Sequence, residues 1–166
     1  MQVNNKEKII VPVSGAAFTD QPNVDIVTYS LGSCLGITVY DKVIKVGGMA
    51  HMMLPDSRMS ANKAAKNPYQ FVDMGVAELI REALALGMKK SSMEVKLAGC
   101  ANVLDTKDLF KIGKRNYMIA RKLLWKNSIL ITSESIGGEL SRTITLNIET
   151  GGLRISIGGG VETIII

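Results

Sequence analysis

Cys34, in the loop-like string TYSLGSC, and His51, in GGMAHMMLPDS, are the residues of this chain whose types and spacing suit covalent chemistry, and His51 is its only histidine. A thiol with a free pKa of about 8.5 is mostly protonated at neutral pH, and a neighbouring imidazolium stabilises the thiolate that attacks. A histidine titrating near neutrality suits that part. Gly32 and Gly36 flank the cysteine and Gly47 and Gly48 precede the histidine, so the backbone at both places is expected to turn tightly and approach another molecule closely. A plainer reading stands beside this one. Free cysteine often fills core volume, and a lone histidine beside a strand is commonly a satisfied structural residue.

The elements that would bring the pair together are short strands. Ile9 to Val13 and Asp25 to Tyr29 read as strands, the second running into the loop Ser30 to Cys34, and Leu35 to Tyr40 as a third. Val43 to Met53 contains a further strand broken by the double glycine, which places Cys34 and His51 near the ends of neighbouring strands. Strands adjacent in sequence often pair. Pro55 to Asn67 reads as a polar loop without periodicity, a lid or recognition loop. From Pro68 to Leu86, Phe71, Val72, Val76, Leu79, Ile80, Ala83 and Leu84 recur at helical spacing, with Asn67 as N-cap and Gly87 as stop. Met93 to Leu97 is a strand, and Gly113 to Lys126 a second helix with Tyr117, Ala120, Leu123 and Leu124 on one face. Ser128 to Thr132 resumes strand character, Thr143 to Ile148 and Leu153 to Ile157 form a hairpin, and Val161 to Ile166 adds a last strand.

A length of 166 residues, 46% of them hydrophobic, suits one domain spanning 1–166 with a β-rich mixed α/β (α+β) core. No apolar run approaches the ~20 residues that span a bilayer, and MQVNNKEKII lacks the apolar stretch of a secretory signal, so the expected location is cytoplasmic with no membrane insertion. Two cysteines, Cys34 and Cys100, do not make a disulfide framework. The net charge of +5 favours acidic partners. With only 5% aromatic residues, no stacking platform for bases is expected and no nucleic acid partner.

The strings TYSLGSC, GGMAHMMLP, KLAGCAN, IGKRN and GGELSR, in that order, closely resemble those of the chemoreceptor glutamine deamidase family CheD, from about Ile26 to Ile155. The two main helices read as packed outside the β-rich core, and the resemblance implies a layered fold similar to that of cysteine deamidase toxins. It implies a cysteine hydrolase that converts glutamines of methyl-accepting chemoreceptors into glutamates and releases ammonia. Carried over by position, Cys34 is the nucleophile, His51 the general base and acid, and Thr28 the residue that holds the imidazole; no metal or organic cofactor is required. The implied partners are the cytoplasmic helical bundle of the receptors and, as in some family members, a CheC-type phosphatase.

The chain departs from the family pattern at Gly99, Cys100 and Ala101, where two glycines and an alanine are usual, and at Ser135 and Ile136, where an aspartate often precedes the double glycine. Cys100 reads as a small buried residue. Asn102, Asn116 and Arg142 match family positions and read as residues that fix turns or pair locally. Two other functions share these residues: a binding module that regulates a CheC-type phosphatase with little turnover, and a different cysteine hydrolase that cleaves peptides or small amides.

Overall fold

The computed structural model describes residues 6–103 and 110–166; the beginning of the polar start, residues 1–5, lies outside them. The strands are β1 (Glu7–Ile10), β2 (Gly15–Thr19), β3 (Val24–Leu31), β4 (Leu35–Asp41), β5 (Val46–Met52), β6 (Met93–Gly99), β7 (Ile131–Ile136), β8 (Arg142–Asn147), β9 (Leu153–Ile157) and β10 (Glu162–Ile165). The α-helices are α1 (Ala61–Lys66), α2 (Val72–Ala85) and α3 (Ile112–Lys126). Two five-stranded sheets result, ordered β1-β3-β8-β9-β10 and β2-β5-β4-β6-β7.

The fold is mixed α+β in three layers, and β4 shows why. All seven of its residues are buried, as expected of a central strand covered on both faces. Leu35, Ile37 and Val39 join Val76, Leu79, Ala120 and Leu124 of α2 and α3 in one core. On the opposite face Ile26, Met49, Ala98, Ile144, Leu146, Leu153 and Ile155 form a second core between the sheets. Period-two alternation thus points one set of side chains at the helices and the other at the facing sheet.

Several expectations change in detail. The strand containing His51 is not broken, because Gly47 and Gly48 continue β5 in register with β4. Their lack of side chains makes room for neighbours of the same chain: a Cβ on Gly48 would strike the Phe18 ring, and one on Gly47 would meet Ile148. Second, β2 pairs with β5 although its sequence, GAAFT, carries little of the β-branched signal that marks a strand. Third, the segment 55–67 is ordered into a 3-10 turn at Ser57–Met59 and α1. The Leu54–Phe71 bridge closes it at its base. Fourth, Asn67 caps a 3-10 turn at Pro68–Gln70, accepting from the Tyr69 N–H at 3.0 Å, and α2 begins only after Phe71. Gly87, at φ +92°, ends α2 as expected. β7 begins later than Ser128, which turns the chain at φ +56°.

Candidate active site

His51 lies in β5, and its two cross-strand partners, Gly15 of β2 and Gly36 of β4, are both glycines. The space these glycines leave is taken by Leu31 and Ile144 of the facing sheet over Gly36 and by Pro12 over Gly15, and the imidazole enters the layer between the sheets. There it meets Thr28, which β3 of the opposite sheet presents: Thr28 Oγ1 lies 2.7 Å from His51 Nδ1 and 2.8 Å from the Val11 carbonyl oxygen. Both side chains are fully buried.

The tautomer follows from counting protons. A threonine hydroxyl has one hydrogen to donate, and the Val11 carbonyl can only accept it. Thr28 Oγ1 must then accept from His51, so Nδ1 carries the imidazole proton and Nε2 presents a bare lone pair. Nε2 is buried with no hydrogen-bond partner. A base with its lone pair free is therefore built into the inter-sheet layer.

Cys34 stands two residues before Gly36, the residue opposite His51, which makes it a diagonal neighbour of the histidine at a backbone separation of about 7–8 Å. It is half-buried and packs against the inter-sheet core, the layer that His51 enters. Burial pushes the Cys34 thiol up from its ordinary value, with its own backbone N–H pulling weakly the other way. Burial also holds the His51 imidazole down at about 4. The resting pair is neutral thiol and neutral imidazole, in place of the thiolate and imidazolium expected from residue types, because both charged forms lose hydration in this layer.

Backbone contacts hold the cysteine loop against the end of β6. The Cys100 N–H donates to the Cys34 carbonyl at 2.7 Å, and the Ala101 N–H to the Gly32 carbonyl at 2.8 Å. A Cβ on Gly99 would strike the Cys34 carbonyl oxygen. Cys100 itself is buried, with its thiol pushed up to about 12 by burial. Its φ of +53° is one that glycine adopts without strain, which accounts physically for the glycine usual at this place.

Asn116, on the buried face of α3, does not pair locally. Its Nδ2 donates to the Ser33 carbonyl at 2.9 Å and to the Met53 carbonyl at 3.2 Å, across sequence separations of 83 and 63 residues. Arg142 does pair locally, donating to Ser135 Oγ at 3.0 Å and to the Leu140 carbonyl at 3.3 Å. The Asn102 N–H donates to the Gly138 carbonyl. Beside this loop opens a mainly apolar cleft of about 700 Å³ whose walls include Gly32, Ser33, Ala101, Val103 and Tyr117. Among the described residues, no group of three or more His, Cys, Asp or Glu side chains is placed to hold a metal ion.

The sequence model of the family described as "CheD chemotactic sensory transduction" matches residues 53–157, more than half of the chain. The chain belongs to the CheD family. Among its relatives, the probable chemoreceptor glutamine deamidase CheD 1 of Syntrophus aciditrophicus is 42% identical over 152 residues, covering 92% of this chain and 95% of that one. The probable chemoreceptor glutamine deamidase CheD of Pyrococcus abyssi is 43% identical over 140 residues, 82% of this chain and 85% of that one. Among solved structures, the hypothetical protein YfiH of Bacillus licheniformis is similar with a TM-score of 0.49 and 12% identity, over 81% of this chain and 60% of that one. The family model begins just past His51, at residue 53. Among the described residues no helix is long and apolar enough to cross a membrane.

Residue types pointed to Cys34 and His51, and the resemblance to Thr28. The Val11 carbonyl and the long reach of Asn116 escaped that reading, since a backbone carbonyl carries no sequence signal and an asparagine on a helix gives no sign of its distant partners.

Proposed function

We propose that this chain, acting as one deamidase domain, is a protein-glutamine glutaminase that converts glutamine side chains of chemoreceptors to glutamate in chemotaxis. Cys34 is the nucleophile, His51 the general base and acid, and Thr28 the residue that orients the imidazole. The observation that carries this reading is the chain of hydrogen bonds from the Val11 carbonyl through Thr28 to His51, which leaves Nε2 unprotonated in the layer between the sheets, against which the half-buried Cys34 packs; Nε2 and the thiol are not hydrogen-bonded in the resting structure. The names of the relatives supply the substrate class.

In the first half-reaction His51 Nε2 takes the thiol proton as sulfur bonds to the carboxamide carbon and the carbonyl π pair moves onto oxygen. The oxyanion collapses, the C–N bond breaks, and the Nε2 proton goes to the departing nitrogen, which leaves as ammonia. A thioester remains. Water then loses a proton to Nε2 and adds to the thioester carbon, and sulfur departs with that proton, leaving the original thiol and a carboxylic acid that ionises to glutamate as its proton passes to the released ammonia. Thr28 Oγ1 accepts the hydrogen bond from Nδ1–H throughout, a weaker orienter than the carboxylate of a serine triad. The net charge of +5 suits an acidic helical receptor bundle approached in the cytoplasm, and a CheC-type phosphatase is the second partner in this proposal.

The test is mass spectrometry of a recombinant cytoplasmic receptor fragment incubated with this protein, with ammonia release followed in parallel. Wild-type protein should convert glutamine sites to glutamate, and Cys34→Ala should abolish both signals. Undiminished conversion by Cys34→Ala would remove the cysteine from the mechanism, and cleavage of the peptide chain would identify a peptidase instead.

A further inference from the structure

We infer that Asn116 is a positioning residue for the oxyanion: by gripping the Ser33 carbonyl it aims the Cys34 backbone N–H at the reacting carbonyl, and by gripping the Met53 carbonyl it ties that N–H to the strand that carries His51. The inference rests on the cysteine reading above and deepens it. Its core is the rigidity of one peptide unit. The Ser33 carbonyl and the Cys34 N–H belong to the same planar trans group and point in opposite directions, and the described residues contain no cis peptide. Whatever fixes the carbonyl fixes the N–H.

Three observations agree. The Cys34 N–H donates to no backbone carbonyl among the described residues and lies against its own sulfur, where an oxyanion formed by attack of that sulfur would be found. Asn116 Nδ2 must face the two carbonyls, because turning the amide would set its oxygen against two acceptors. And Asn116 is fully buried with Oδ1 left without a partner, a cost that an arrangement selected for stability alone would avoid. The Met53 contact adds the second half of the device, since Met53 directly follows β5 and lies two residues beyond His51. One carboxamide therefore joins the oxyanion donor and the strand of the base to the same point on α3.

The test compares Asn116→Leu, similar in size with no donor, and Asn116→Asp, similar in shape and able when neutral to donate one bond. Each is assayed for kcat and KM on the receptor fragment and for the rate at which iodoacetamide alkylates Cys34, a reaction that generates no oxyanion. The expected result is a fall in kcat of roughly 10²-fold in Asn116→Leu, as for loss of one oxyanion donor elsewhere, a smaller fall in Asn116→Asp, KM little changed, and alkylation within about threefold of wild type. Parallel loss of deamidation and alkylation would show a general structural role and overturn the inference, as would unchanged kcat. Should Asn116→Leu fail to fold by circular dichroism, Asn116→Asp supplies the same comparison. Cys34→Ala is run beside them: full activity in that variant defeats the cysteine reading, whereas an inactive Cys34→Ala with fully active Asn116 variants defeats only the part given to Asn116.

Discussion

The Val11 carbonyl decides which nitrogen of His51 carries a proton without touching the imidazole, because Thr28 has a single hydrogen to give and Val11 takes it. That choice and the burial of both partners make a pair that is neutral at rest. The consequence is measurable in the pH profile of thiol reactivity. Alkylation of Cys34 by iodoacetamide should keep accelerating through pH 9, since burial raises the thiol above its ordinary value. A thiolate held by an imidazolium would instead react at a flat rate from roughly pH 5 to 8. Peptide mapping should find the label on Cys34 and not on Cys100, whose thiol is held near 12. A flat profile across neutral pH would refute the neutral pair. The sequence shows the thiol and the imidazole but not their charge state, which depends on how much water the fold leaves around them.

Strand register brings these groups together. β5 sets His51 between two glycines, β4 begins directly after Cys34, and the end of β6 backs the cysteine loop. Gly99 is the tightest point of that support, at φ +97° with no room for a Cβ beside the Cys34 carbonyl. Gly99→Ala should cost about 1–3 kcal/mol through backbone strain alone, read as a lower urea midpoint, and should lower kcat by displacing the cysteine loop. An unchanged midpoint with unchanged kcat would show that the loop does not depend on this contact. α2, α3 and most strands are legible because their periodicity is strong, whereas the six-residue α1 falls in the segment that reads as a polar loop. The double glycine in β5 was misread as a break because glycine marks a turn in isolation, whereas here it admits Phe18 and Ile148 from outside the strand. β2 went unread because small residues give no strand signal until the register with β5 is known.

The two-sheet layer makes the whole molecule sensitive to acid through one residue. His51 has its folded pKa depressed to about 4 from 6.5, so as pH falls the unfolded chain takes up the proton first and folding stability drops. The stability is fully present above 6.5 and is withdrawn between 6.5 and 4, about 2 to 3 kcal/mol of it by pH 4.5. Urea titrations at pH 7.5, 5.5 and 4.5 should show this loss, and His51→Gln should flatten it. Equal slopes in the two proteins would mean that the histidine is more hydrated than the inter-sheet layer allows.

The two main helices and their apolar faces, most of the strands, the candidate thiol and imidazole and the family resemblance were all present in the amino-acid sequence, because each is a matter of residue type and short-range spacing. The tertiary structure alone decided the rest: that β3 faces β5 across an apolar layer, that Thr28 meets His51 there, that both reactive groups are neutral, and that Asn116 reaches Ser33 and Met53. These depend on the packing of one sheet on another and on the exclusion of water between them. Neither is encoded in any single segment of the chain.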